Sequence, residues 1–129
     1  MPFQVGYAGS DSQVIVGMSL SELASKRCVP CKGANPFSPQ EASVNLASLP
    51  GWRHEDGTIE REFRFKSYLA GLDFAYAVGK LSEEQGHHPE MTIGWRRVKL
   101  AFTTHAIKGL SMNDFIMAAK SQLEFEKRS

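Results

Sequence analysis

Glu83-Glu84-Gln85-Gly86-His87-His88-Pro89 leads into Trp95, then Thr103-Thr104-His105, then Asp114. Pro89 biases His88 away from the α region and into extended backbone. A helix arriving from the N-terminal side must then end near Gly86, a residue suited to a helix stop. Downstream, Val98, Leu100 and Phe102 alternate with Arg97, Lys99, Ala101, Thr103 and His105. A period of two marks a half-buried strand, and it leaves His105 at the strand end, on the face opposite the aliphatic residues. The same stretch holds three of the four histidines within nineteen residues. Histidine is suited to moving protons near neutral pH, because its unperturbed pKa is about 6.5. Two consecutive extended residues point their side chains in opposite directions, so His87 and His88 are expected to do different jobs.

On the N-terminal side of this stretch, Ser67 to Gln85 reads as the longest helix. Leu69, Leu72, Ala75 and Tyr76 form one apolar stripe; Phe74, Ala77, Val78 and Leu81 form another. A surface helix needs one apolar face, so a second stripe points to a partner surface on another copy of the chain. Further back, Trp52-Arg53-His54 and Thr58 to Phe65 flank Glu55-Asp56-Gly57, a hairpin turn signal. Ser38-Pro39-Gln40-Glu41 is a helix start with a capping residue, a first-turn proline and a reciprocal glutamate. On the C-terminal side, Ser111-Met112-Asn113-Asp114 opens the last helix, and Asp114 can close a reciprocal cap with Ser111. The order is helix, strand, strand, helix, strand, strand, helix, with Met91 to Ile93 and Trp95 to Thr104 as the second strand pair. Paired strands separated by helices favour an α+β fold. The expected architecture is an antiparallel four-stranded sheet with about three helices packed on one face.

With 129 residues, 42% hydrophobic and 22% charged, the chain has ordinary globular composition. A net charge of +1 gives no electrostatic case for nucleic acid or an anionic membrane. No run approaches the roughly 18 apolar residues of a membrane span, and the N-terminus lacks a signal-peptide pattern. Residues 1–25 read as an N-terminal extension, with an apolar patch at Val14-Ile15-Val16 and a short helix starting near Ser19; residues 26–129 read as the domain. Cys28 and Cys31 are the only cysteines. A closed zinc site needs four ligands, and no second pair follows, so the Cys-x-x-Cys is read as a turn element with reduced thiols. A reduced state fits a cytoplasmic location.

Three readings of the histidines stand side by side. One is acid–base catalysis on a bound heterocycle. Another is a metal site, since three imidazoles serve as ligands in some zinc enzymes. The third is a set of histidines held by backbone partners in an interaction module. Against the metal, the chain lacks the helical i, i+4 pair of zinc hydrolases, and adjacent extended histidines diverge.

The pattern Glu83, His87, His88, Pro89, Trp95, His105 and Asp114 resembles that of the pterin-4a-carbinolamine dehydratase family. The resemblance runs from about Cys28 to the C-terminus, and Cys28 to Gly33 is similar to the start of several microbial and plant members. It implies dehydration of a 4a-hydroxytetrahydropterin, such as 4a-hydroxytetrahydrobiopterin, to the quinonoid dihydropterin, in tetrahydrobiopterin recycling beside an aromatic amino acid hydroxylase. It implies no metal and no organic cofactor. His87 and His105 are then the proton-transfer pair, and His88 binds or orients the pterin. Glu83, one turn before His87, is placed to orient an imidazole, or is a solvated carboxylate at a helix end. Thr103, Thr104 and the backbone around His105 are expected at the pterin edge. Family members often carry acidic residues where this chain has Gly86 and Ala106, which leaves backbone contacts there. Trp52 resembles an aromatic near the family's pterin pocket, although a tryptophan is more often core. The resemblance also implies dimers or tetramers. Some animal members act as dimerisation cofactors for a homeodomain transcription factor, which keeps a non-catalytic interaction protein as the alternative.

Overall fold

The computed structural model describes residues 18–30 and 33–128. The elements are α1 (Leu20–Ser25), α2 (Pro39–Leu46), β1 (Arg53–Glu55), β2 (Thr58–Arg64), α3 (Tyr68–Gln85), β3 (Glu90–Gly94), β4 (Arg97–Phe102), a 3-10 turn (His105–Ile107) and α4 (Met112–Glu126). The four strands form one antiparallel sheet in the order β1-β2-β4-β3. This is the expected α+β architecture, with the expected element order. Val14-Ile15-Val16 and Cys31 lie outside the described residues.

The alternation read in β4 is the sheet's organising feature. Val98, Leu100 and Phe102 are fully buried, while Arg97, Lys99 and Ala101 point the other way. The register places Ile59 beside Phe102 and Phe63 beside Val98, so β2 presents the same apolar face. Helices α3 and α4 pack on it. On the opposite face Glu60 pairs with Arg53 at 2.6 Å and lies 4.0 Å from Lys99, as a sheet with one wet face requires.

The helix starts follow their capping residues. Ser38 with Glu41, and Ser111 with Asp114, form reciprocal capping boxes; the Ser67 hydroxyl accepts the Ala70 N–H. Helix α3 stops at Gly86, whose φ of 67° and ψ of 29° form a left-handed cap that glycine adopts without a Cβ clash. Of the two α3 stripes, Phe74 and Val78 enter the core, while Leu69 and Tyr76 are 74% and 69% exposed.

Two differences from the sequence reading have local causes. The run Trp95 to Thr104 is not one strand. Trp95-Arg96 is a hairpin turn between β3 and β4, with Arg96 at φ 62° and its guanidinium 4.9 Å from the exposed Trp95 ring. Strand β4 then ends at Phe102, so His105 opens the 3-10 turn instead of ending a strand. Beyond the three helices of that order, the short helix expected near Ser19 is present among the described residues. This helix, α1, has its own capping box from Ser19 and Glu22. It packs on α4, Leu23 is fully buried, and the Lys120 ammonium donates to the Ala24 carbonyl at 2.7 Å.

The packing implies an ordering of stabilities. Phe63→Ala removes a fully buried ring that meets Trp52, Phe74 and Phe125, and should lower unfolding free energy by about 3–5 kcal/mol. Trp95→Ala, on a turn with the ring 72% exposed, should stay within about 0.5 kcal/mol. Denaturant melts giving the two variants equal midpoints would contradict this core.

Candidate active site

The site is built where the end of α3, the exit of β4 and the start of α4 meet. The left-handed turn at Gly86 brings the His87 N–H to the Ser82 carbonyl at 3.1 Å. His87 turns inward, and its side chain is only 12% exposed. Its ring lies nearly parallel to Phe102, at 10° and 6.4 Å between centroids. Its Nε2 sits 2.6 Å from Oδ1 of Asp114, a residue with no exposed surface.

Asp114 is therefore more than a helix cap. Its Oδ2 accepts the Ser111 N–H at 2.9 Å, which completes the expected cap, and the Thr104 hydroxyl at 2.8 Å. The Thr104 hydroxyl has only one proton and gives it to Asp114, so across the 2.8 Å contact it accepts from the Ser111 hydroxyl. An ionised carboxylate only accepts hydrogen bonds. The proton between Asp114 and His87 thus belongs to Nε2, and in the neutral ring the lone pair lies on Nδ1. That is the arrangement of a base held in one tautomer.

His88 diverges from its neighbour, as adjacent extended residues should. Its Nε2 meets the Glu83 carboxylate at 2.6 Å, with side chains 56% and 80% exposed. The glutamate placed to orient an imidazole orients His88, not His87. The reason is the left-handed turn: it sends His87 toward α4 and folds His88 back over the last turn of α3. A solvent-exposed contact of this kind contributes little to stability, typically about 0–1 kcal/mol. His105 is exposed. Its carbonyl accepts the Lys108 N–H at 3.1 Å, and an isolated bridge between Thr104 and Gly109 closes the loop.

A cavity of about 550 Å³ gathers Gly86, His87, His88, Thr103, Thr104, His105 and Ala106 on its walls. The structure thus brings together seven of the residues singled out in the sequence. Pro89 enforces the extended corner behind them. Thr103 and Thr104 use their hydroxyl protons within the protein, on the Gly57 carbonyl at 2.6 Å and on Asp114. Trp52 does not join the site. It is 7% exposed, packs 5.9 Å from both Phe63 and Phe102, and donates its Nε1–H toward Gln122 at 3.4 Å. Enclosed by core rings, it reaches the site only through Phe102, which stacks on His87. Among the described residues, no group of three His, Cys, Asp or Glu side chains is placed to hold a metal ion.

Residues 35–123 match the sequence pattern of the family described as pterin 4 alpha carbinolamine dehydratase. The chain belongs to that family. A relative from Rubrobacter xylanophilus, provisionally named pterin-4-alpha-carbinolamine dehydratase, is 48% identical over 103 residues, spanning 78% of this chain and 96% of that protein. One from Methylococcus capsulatus, with the same provisional name, is 44% identical over 106 residues, spanning 80% and 93%. The crystal structure of a transcriptional coactivator/pterin dehydratase from Brucella melitensis superposes with a TM-score of 0.67 at 29% identity, covering 70% of this chain and 98% of that one.

The dehydratase-family span contains His87, His88, His105 and Asp114, but not the whole cavity. Cys28, Val29 and Pro30 precede residue 35 and still line it, as do Gln85 and Asn113. The sequence named none of these five as a site residue. Periodicity and capping patterns connect neighbours in the chain, and no such signal ties Val29 to a residue 84 positions away. Among the described residues, no helix is long and apolar enough to cross a membrane.

The buried carboxylate predicts a paired effect. Asp114→Ala removes a cap and leaves Thr104 and His87 without their acceptor. It should cost at least about 2 kcal/mol of stability. Nitrogen NMR of His87 should show the Nε2–H tautomer in the wild-type chain and a mixture in the variant. An unchanged His87 spectrum would sever Asp114 from the histidine's tautomer.

Proposed function

We propose that this chain converts a 4a-hydroxytetrahydropterin, of which 4a-hydroxytetrahydrobiopterin is the natural candidate, to quinonoid dihydropterin and water by histidine acid–base catalysis. The observation that carries the reading is the buried Asp114–His87 pair opening onto a cavity shared with His88 and His105. Family membership supplies the substrate class.

In the proposed reaction His87 takes the N5 proton at Nδ1. The electron pair released at N5 forms the C4a=N5 double bond as the C4a–O bond breaks. His105 delivers a proton to the departing hydroxyl, which leaves as water. Nothing is oxidised or reduced, and the chemistry calls for no metal or organic cofactor. Burial of Asp114 gives His87 a fixed carboxylate partner that stabilises the imidazolium formed when the proton arrives. Each positioned proton transfer contributes typically about 10²- to 10⁴-fold. His88, more exposed and held by Glu83, binds or orients the pterin. Backbone groups of Gly86 and Ala106 offer edge contacts.

We assign the exposed stripe of α3, with Leu69 and Tyr76 outermost, as the surface on which a second copy packs. A two-fold pairing buries the same patch on both subunits, giving a homodimer or a tetramer built from dimers. A cytoplasmic role in tetrahydrobiopterin recycling, serving an aromatic amino acid hydroxylase, completes the proposal. The alternative reading, a non-catalytic interaction protein, requires no turnover.

Following 4a-carbinolamine decay with purified protein is the direct test. Wild type should accelerate decay, and His87→Ala and His105→Ala should each slow it at least about tenfold in a folded protein. Chelators should leave the rate unchanged. Full turnover in both variants, or an inert wild type, would defeat the proposal. For assembly, Leu69→Glu with Tyr76→Glu should yield a folded, smaller species in sedimentation, whereas Phe74→Glu should unfold the domain. A monomeric wild type at tens of micromolar would remove the assembly assignment.

A further inference from the structure

Val29 presents a large apolar side chain to the cavity and is 61% exposed. An exposed aliphatic residue by itself needs no explanation, but its backbone is held. The Asn113 Oδ1 accepts the Val29 N–H at 3.0 Å, and the Asn113 Nδ2 donates to the Val29 carbonyl at 2.6 Å. One side-chain amide thus satisfies both backbone groups of one residue, as a neighbouring strand would. Only a carboxamide has a donor and an acceptor so placed. Beside it, the Cys28 N–H donates to Gln85 Oε1 at 2.9 Å.

The two amides occupy informative positions. Gln85 ends α3 two residues before His87, and Asn113 immediately precedes Asp114 in α4. The helix ends that carry the His87–Asp114 pair therefore also hold the segment facing it. Upstream, the segment is anchored through α1 by Leu23 and by the Lys120 bond to Ala24. This segment lies ahead of the span matched by the family pattern.

We infer that Val29 is a substrate-positioning wall of the cavity and that Asn113 acts through it. The inference rests on the pterin reading above. A pterin has polar edges and flat faces of low polarity. The histidines and the loop backbone suit the edges; the isopropyl group of Val29 packs on a face. Holding the ring against the histidines is a binding contribution made equally in ground state and transition state, and such uniform binding appears in KM and not in kcat.

Steady-state kinetics on the full chain with the 4a-carbinolamine test this. Val29→Ser should raise KM about tenfold and leave kcat within about twofold, and Val29→Ile should restore the KM lost in the serine variant. Asn113→Ala should raise KM similarly. The double variant Val29→Ser with Asn113→Ala should resemble the worse single one, because the two act through one contact. Val29 is exposed, so its variants keep the fold even if Asn113→Ala does not. Wild-type turnover with an unchanged KM in Val29→Ser overturns this inference alone. Additive effects in the double variant overturn the coupling to Asn113. A wild type without turnover overturns the pterin reading and this inference together.

Discussion

A carboxylate with no exposed surface is costly to keep ionised unless hydrogen-bond donors surround it. Asp114 collects its donors from three separate places: the imidazole just past α3, the hydroxyl just past β4, and the backbone at the start of α4. Meeting that requirement brings the three segments to one point. The left-handed stop at Gly86 and the early end of β4 at Phe102 both serve this convergence. The carboxylate that meets His87 also closes the helix cap, so the stability of this corner and the orientation of His87 are linked. Neither can be altered without the other.

The two adjacent histidines show how the left-handed turn at Gly86 separates two environments. His87 is enclosed, stacked on Phe102 and tied to a buried acid. His88 stands in solvent with a glutamate. The enclosed imidazole has one defined tautomer and a fixed direction. The exposed one keeps the freedom to adapt to a ligand. Placing both on one cavity wall joins an enclosed, firmly held imidazole to an exposed, adaptable polar group.

Around this corner runs a segment that precedes the matched family span. Helix α1 lies against α4, and the residues after it run past the cavity, gripped by Gln85 and Asn113. The grip uses residues close to His87 and next to Asp114, so the cavity wall at Val29 and the His87–Asp114 pair share one frame. On the outer side of α3, Leu69 and Tyr76 are exposed. The same helix thus joins core, site and the assigned subunit contact.

Local chemistry was legible in the sequence because it depends on near neighbours. The stop at Gly86, the caps at Ser38 and Ser111, the alternation of Val98, Leu100 and Phe102, and the divergence of His87 from His88 all follow from residues within a turn or a strand of one another. The histidine cluster with its spacing was enough to point to the family. What the sequence left open concerned partners. Glu83 was one helical turn from His87, yet it holds His88, because the direction of the chain after Gly86 decides which imidazole comes within reach. Trp52 stood between core and ligand contact and is core, since Phe63 and Phe102 enclose it. Asp114 meets His87 across 27 residues, and Asn113 meets Val29 across 84. Contacts at such separations exist only once the sheet has ordered its strands and the helices have settled on its apolar face, and that packing is a property of the whole chain.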